Sequence, residues 1–212
     1  MSNPPQTGID VLAISPVIPV VVIDDVDHAV PLARALVRGG IRIIEITLRS
    51  SAALGAIERI AAEVPEMLTG AGTVTTPEQV IAVRRVGAQF IVLPGAPAGL
   101  PEAALSTGVP LLAGASTVTE MMRLADCGLT TMKFFPAEAS GGSAFLSAVS
   151  GPLPDLRFCP TGGVHPLNVA EYLALPNVGC VGGSWLTPKE VVAAEDWKQI
   201  EQLARQSASL LL

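Results

Sequence analysis

Eight short runs rich in β-branched residues alternate with Ala/Leu-rich amphipathic stretches, about twenty-odd residues apart, and this alternation limits the chain to very few folds. The strand candidates are Val17–Ile23, Ile41–Leu48, Met67–Thr73, Phe90–Pro94, Pro110–Gly114, Thr131–Phe135, Arg157–Thr161 and Val178–Gly182. Helical patterns fall between them at Asp27–Arg38, Ser51–Glu63, Thr76–Val86, Leu100–Ser106, Thr119–Asp126, Ser143–Ser150 and Leu167–Ala174, and a closing helix spans Ala193–Leu211. Thr76-Pro77-Glu78 and Asp24 to Asp27 read as helix starts, and Gly39-Gly40, Gly87 and Gly108 as stops. Strand–helix alternation repeated eight times predicts a closed parallel (β/α)8 TIM barrel over residues 1–212 as one domain. An open doubly wound sheet would carry a glycine-rich first turn, where this chain has Asp24-Asp25-Val26-Asp27. The segment before Val17 is expected to form a short helix capping the bottom of the barrel.

Composition narrows the functional classes. The chain is 50% hydrophobic but only 15% charged and 4% aromatic, so small and branched residues fill its interior, as in helices packed on a buried parallel sheet. A net charge of −6 with no Lys/Arg cluster excludes a nucleic-acid partner. No apolar run is long enough to cross a bilayer, and the first ten residues do not read as a secretion leader. Three cysteines without CxxC spacing support neither a disulfide framework nor a zinc site. The expectation is a cytoplasmic protein that uses no metal or other cofactor and acts on a small molecule.

Lys133 is the only lysine in the first 188 residues, and it interrupts the apolar run Thr131-Met132-Lys133-Phe134-Phe135-Pro136. Burying an ammonium without a partner costs several kcal/mol. A desolvated lysine gives up its proton more readily, and the neutral amine is a carbonyl nucleophile. The competing reading is a strand-end lysine whose stem packs while its head reaches water. Strand alternation turns Lys133 and Phe135 inward on the sixth strand, and Glu45, Thr47 and Arg49 inward on the second. Two cations and one anion then face one dry interior, and the surplus positive charge suits a bound carboxylate. The bland alternative is a structural ion-pair network.

The seventh and eighth strands end in Thr161-Gly162-Gly163 and Gly182-Gly183-Ser184. Paired glycines let backbone amides converge on an anion, and this region of a (β/α)8 barrel commonly binds phosphate. The same pairs could merely relieve crowding at strand ends. Thr73 closes the third strand after Gly70-Ala71-Gly72, either as a ligand hydroxyl or as part of a tight turn. Pro94-Gly95 closes the fourth without an ionisable group. His28 and His165 read as surface or capping residues, and Asp24, Asp25 and Asp27 as helix-start charges.

The segments Glu45-Ile46-Thr47-Leu48-Arg49, Gly70-Ala71-Gly72-Thr73-Val74, Lys133-Phe134-Phe135-Pro136-Ala137-Glu138, Phe158-Cys159-Pro160-Thr161-Gly162-Gly163 and Gly182-Gly183-Ser184-Trp185 together resemble the 2-keto-3-deoxy-6-phosphogluconate (KDPG) aldolase family. These are class I pyruvate aldolases of the Entner–Doudoroff pathway. The likeness runs in order from about Pro16 to Trp185. It implies that Lys133 forms the Schiff base and Glu45 transfers protons. It further implies that Arg49 and Thr73 hold the pyruvate carboxylate, that Phe135 and Pro94 form apolar walls, and that Thr161 lines the cavity. Gly162, Gly163, Gly183 and Ser184 would hold the phosphate, and the protein would be a homotrimer. Two departures stand out: the first strand lacks the arginine that helps hold phosphate in some relatives, and Ser50-Ser51 follows Arg49.

The expected activity is cleavage of KDPG to pyruvate and glyceraldehyde 3-phosphate, with side activity on 4-hydroxy-2-oxoglutarate. The nearest alternative is the galactonate epimer of the substrate. A sugar-phosphate isomerase or epimerase would need paired carboxylates or a metal set, where only Glu45 is a good inward carboxylate. A non-catalytic sensor of phosphorylated ligands would not need the Lys–Glu–Arg cluster.

Overall fold

The computed structural model describes residues 9–211. Its strands are β1 (Val17–Val21), β2 (Ile43–Thr47), β3 (Leu68–Gly72), β4 (Phe90–Val92), β5 (Leu111–Ala115), β6 (Thr131–Phe134), β7 (Arg157–Pro160) and β8 (Val181–Gly183). They hydrogen-bond in the order β7-β6-β5-β4-β3-β2-β1-β8, every named pair parallel. β8 pairs with β1 from Val17↔Val181 to Pro19↔Gly183, and two isolated bridges, Phe158↔Val178 and Thr161↔Gly182, join its approach to β7. The sheet closes into the expected barrel.

Helices α1 (Ala29–Arg38), α2 (Ala53–Glu63), α3 (Pro77–Arg85), α4 (Leu100–Leu105), α5 (Val118–Asp126), α6 (Gly142–Val149) and α7 (Val169–Leu173) follow the first seven strands. Local chemistry sets their ends. The Thr76 hydroxyl accepts from Gln79 N ahead of Pro77, and Thr117 and Glu120 form a reciprocal capping box at α5.

Two expectations are corrected. The closing helix starts later than expected, as α9 (Trp197–Ala208) followed by a 3-10 turn, Ser209–Leu211, and a separate short helix, α8 (Lys189–Ala193), precedes it. The break comes where Glu195 takes a left-handed φ of 54° and the Asp196 carboxylate caps α9 by accepting from Gln199 N. Where a helix was expected before Val17, there is a single 3-10 turn, Val11–Ala13, capped by Asp10. The part of that expectation covering residues 1–8 lies outside the described residues.

Strand alternation divides the core in two. Outward residues such as Ile44, Ile46, Ile91, Met132 and Phe134 pack in one cluster with α1 to α7, chiefly through Ala, Val, Leu and Ile. Inward residues Ile18, Ile43, Phe90, Val92, Leu112, Cys159 and Cys180 form a second, smaller cluster that Val11 and Leu12 seal from below. The 3-10 turn thus performs the capping expected of a helix. Phe90 fills the space above Gly70, where an added Cβ would lie 2.3 Å from its ring. This apolar plug is the floor on which polar side chains stand.

Removing the plug's one aromatic ring leaves a cavity the closed sheet cannot collapse. Phe90→Ala is expected to cost about 3–5 kcal/mol of stability, read from urea unfolding of both proteins.

Candidate active site

One step above the plug, β2 and β6 each send a charged side chain inward from an apolar strand. Lys133 Nζ and Glu45 Oε1 lie 3.2 Å apart, at 5% and 3% residue exposure. Glu45 is registered between Val20 of β1 and Gly70 of β3, and Lys133 between Gly114 of β5 and Cys159 of β7. Their neighbours are small for a steric reason. A Cβ on Gly72 would lie 2.0 Å from Glu45 Oε1, and one on Gly114 would lie 2.2 Å from the Pro94 carbonyl oxygen. The Phe135 ring stands 5.2 Å from Lys133 Nζ, centroid to nitrogen. Each charge is buried against the other, and desolvating such a pair costs about as much as its attraction returns. Stability alone therefore gives little reason to place it here.

Arg49 corrects the sequence reading. It shares the inward face of β2 but lies two residues past the strand's end, and it is exposed at the rim, not enclosed with the pair. Its Nε donates to Thr47 Oγ1 at 3.1 Å, and that hydroxyl donates to the Val21 carbonyl at 2.8 Å. Thr47 is buried and tethers the guanidinium to β1, a role the sequence reading did not assign. The available signal was a hydroxyl lying between Glu45 and Arg49 on one strand face. Arg49 and Ser184 line a cavity of about 360 Å³ between the ends of β1, β2 and β8, together with Val20, Asp24, Thr187 and Lys189.

The remaining expected residues sit at the same end of the barrel. Thr73 follows β3 with φ 57°, a left-handed conformation that is strained for a β-branched residue and persists where the surroundings enforce it. Pro94 and Phe135 are half-buried. Thr161 is buried over Gly182, its Oγ1 within 3.4 Å of the Cys159 carbonyl. Gly162 and Gly163 both take positive φ, 98° and 83°, so the chain turns sharply beside Phe135. The Thr161↔Gly182 bridge turns the Gly162 amide toward the Gly182 carbonyl, while among the described residues the amides of Gly163 and Ser184 have no protein acceptor. Such free amides at a barrel mouth are anion-binding groups. Gly183 contributes backbone, since a Cβ there would enter the Trp185 ring.

Other ionisable groups have local partners. Asp24 pairs with Lys189 at 2.9 Å, Asp27 with Arg59 at 2.6 Å, and Asp25 accepts from Asp27 N. His28 lies 3.5 Å from Glu195, and His165 Nδ1 accepts from Leu167 N. The hydrogen bond with Cys159, then burial, holds the Cys180 thiol well above its ordinary range, which disfavours a thiolate. Among the described residues, no three His, Cys, Asp or Glu side chains gather as a metal set. No helix among them is long and apolar enough to cross a membrane.

The comparisons with known proteins agree with this geometry. Residues 9–203 match the family model described as KDPG and KHG aldolase. The chain is 52% identical over 200 residues to the 2-dehydro-3-deoxy-phosphogluconate aldolase of Pseudoalteromonas atlantica, covering 94% of this chain and 93% of that protein. The crystal structure of the KDPG aldolase of Legionella pneumophila, holding pyruvate as a covalent carbinolamine intermediate, superposes with a TM-score of 0.92 at 45% identity, covering 93% of this chain and 96% of that one. The Zymomonas mobilis ZM4 enzyme with 3-phosphoglycerate gives a TM-score of 0.89 at 39% identity, covering 94% and 93% respectively. With a family model matched along nearly its whole length and a relative more than half identical, this chain belongs to the KDPG and KHG aldolases.

Proposed function

We propose that this protein is a class I aldolase that cleaves 2-keto-3-deoxy-6-phosphogluconate to pyruvate and glyceraldehyde 3-phosphate, with side activity on 4-hydroxy-2-oxoglutarate. One observation carries the reading: a buried lysine amine 3.2 Å from a buried carboxylate, at the catalytic end of a barrel. The relatives' names and the trapped pyruvate adduct in the Legionella protein support it. The likeness also implies a cytoplasmic homotrimer.

In this mechanism Lys133 passes its proton to Glu45 and attacks the C2 ketone through the neutral amine, giving a carbinolamine. Glu45 gives that proton to the departing hydroxyl and is a carboxylate again, and loss of water leaves a protonated imine, which is an electron sink. Glu45, through a water molecule, removes the C4 hydroxyl proton, and the C3–C4 bonding pair flows into the imine to leave an enamine. The released aldehyde is glyceraldehyde 3-phosphate. Glu45 then returns a proton to C3, and hydrolysis of the imine frees pyruvate and Lys133. Arg49 and Thr73 hold the substrate carboxylate, while Phe135 and Pro94 wall the imine. Thr161 lines the cavity. Gly162, Gly163, Gly183 and Ser184 seat the phosphate, the turn amides doing work that a first-strand arginine does in some relatives. An isomerase would need a second buried carboxylate, and Glu45 is the buried one among the described residues.

Borohydride reduction in the presence of pyruvate is expected to leave a stable adduct on Lys133, located by mass spectrometry; folded protein without that adduct would disprove imine chemistry. Glu45→Gln should slow turnover about 10²–10⁴-fold, the range of general acid–base catalysis, while adduct formation partly survives. Wild-type turnover in that variant would remove Glu45 from the mechanism. Thr47→Val keeps the volume and drops the tether, so KM for the 2-keto acid should rise about three- to tenfold with a smaller change in kcat.

A further inference from the structure

Tyr172 is the chain's single tyrosine, and the reaction above has no use for it. It lies on α7 at 1% exposure, yet its hydroxyl is not lost in the core. It donates to Glu138 Oε1, on the segment that leaves β6 five residues after Lys133. Burial first, then this bond, holds the phenol well above its ordinary range, so it remains a hydrogen-bond donor at neutral pH.

Glu138 in turn grips the Gly162–Gly163 turn by two means. Its amide donates to the Gly162 carbonyl at 3.0 Å, just after Ala137 N donates to the Thr161 carbonyl at 2.8 Å. Its side chain lies flat against Gly163, where an added Cβ would meet Glu138 Cγ at 2.4 Å. From the other side, Asn168 Nδ2 donates to the Gly163 carbonyl at 3.1 Å and Asn168 Oδ1 accepts from His165 N at 2.8 Å. The carbonyls of Thr161, Gly162 and Gly163 are therefore all engaged by protein donors. Among the described residues, the Gly163 amide has no protein acceptor, while the Gly162 amide faces the Gly182 carbonyl across the bridge to β8. The turn is anchored through its oxygens and offers the Gly163 nitrogen.

We infer that Glu138 and Tyr172 are positioning residues that brace the Gly162–Gly163 turn in its anion-accepting shape and so set the preference for phosphorylated over unphosphorylated substrates. The inference rests on the reading of that turn as the phosphate seat. A carboxylate beside such a seat is tolerable because the tyrosine hydroxyl fixes its position and partly satisfies its charge. Without the hydroxyl, the Glu138 side chain is free to leave Gly163, and the double positive-φ turn loses the support that holds it.

The test is steady-state kinetics of Glu138→Ala, Glu138→Gln and Tyr172→Phe on KDPG and on 4-hydroxy-2-oxoglutarate, with the melting temperature of each variant recorded. Glu138→Ala and Tyr172→Phe are expected to raise KM for KDPG about tenfold, while kcat/KM for the unphosphorylated substrate moves less than about threefold. Glu138→Gln keeps an acceptor for the tyrosine and should return KM most of the way to wild type. Parallel loss on both substrates, tracking a fall in melting temperature, would make the pair merely structural and overturn the inference. An unchanged preference in folded Glu138→Ala and Tyr172→Phe would overturn it as well, leaving the phosphate-seat reading intact. Wild-type protein showing no preference for KDPG would overturn the phosphate seat and the brace together.

Discussion

A single ion pair, Lys133 to Glu45, organises the upper half of the barrel. Two opposite charges in a dry interior are tolerated only within hydrogen-bond reach of each other, and they must stand on rigid strands to stay there. The barrel supplies that rigidity, because β2 and β6 are each paired on both sides. Gly72 leaves the space that Glu45 requires, and Gly114 the space that the Pro94 carbonyl requires. Below, the apolar plug of Ile18, Ile43, Phe90, Val92 and Leu112 keeps water from entering through the bottom.

Charge is graded along the barrel axis. The enclosed pair is neutral overall, while Arg49 stands hydrated at the rim, tethered through Thr47 to the Val21 carbonyl. Farther round, the Gly162–Gly163 turn and Ser184 present backbone amides in place of side-chain cations. An acidic protein thereby presents local anion-binding donors without a basic patch. In the mechanism we propose, the carboxylate end of the 2-keto acid meets a guanidinium and the phosphate end meets peptide N–H groups. On that proposal the difference would orient the substrate, with its ketone at Lys133.

Much of this was legible from residues. Eight strand–helix repeats without a glycine-rich first turn pointed to a closed barrel. The charges within Ile43-Ile44-Glu45-Ile46-Thr47 and Thr131-Met132-Lys133-Phe134 pointed inward by simple alternation, because a strand's period of two leaves no other way to bury the branched residues. The depth of Arg49 is not legible in the same way, because alternation gives a face and not a height. The strand ends at Thr47, and beyond it the same face opens to water. Ala193–Leu211 has a helical composition throughout, so composition alone starts the closing helix at Ala193 and not at Trp197. A left-handed Glu195 and an Asp196 cap interrupt it.

Local sequence determined the strand and helix order, the face on which each charged residue lies, and the glycine pairs at the ends of β7 and β8, since these follow from periodicity and side-chain volume. Tertiary structure alone decided the 3.2 Å meeting of Lys133 with Glu45, 88 residues apart, the tethering of Arg49 by Thr47 to β1, and the grip of Tyr172 on Glu138 across 34 residues. Contacts of that kind depend on the shear and closure of the whole barrel, a global property that no window of sequence carries.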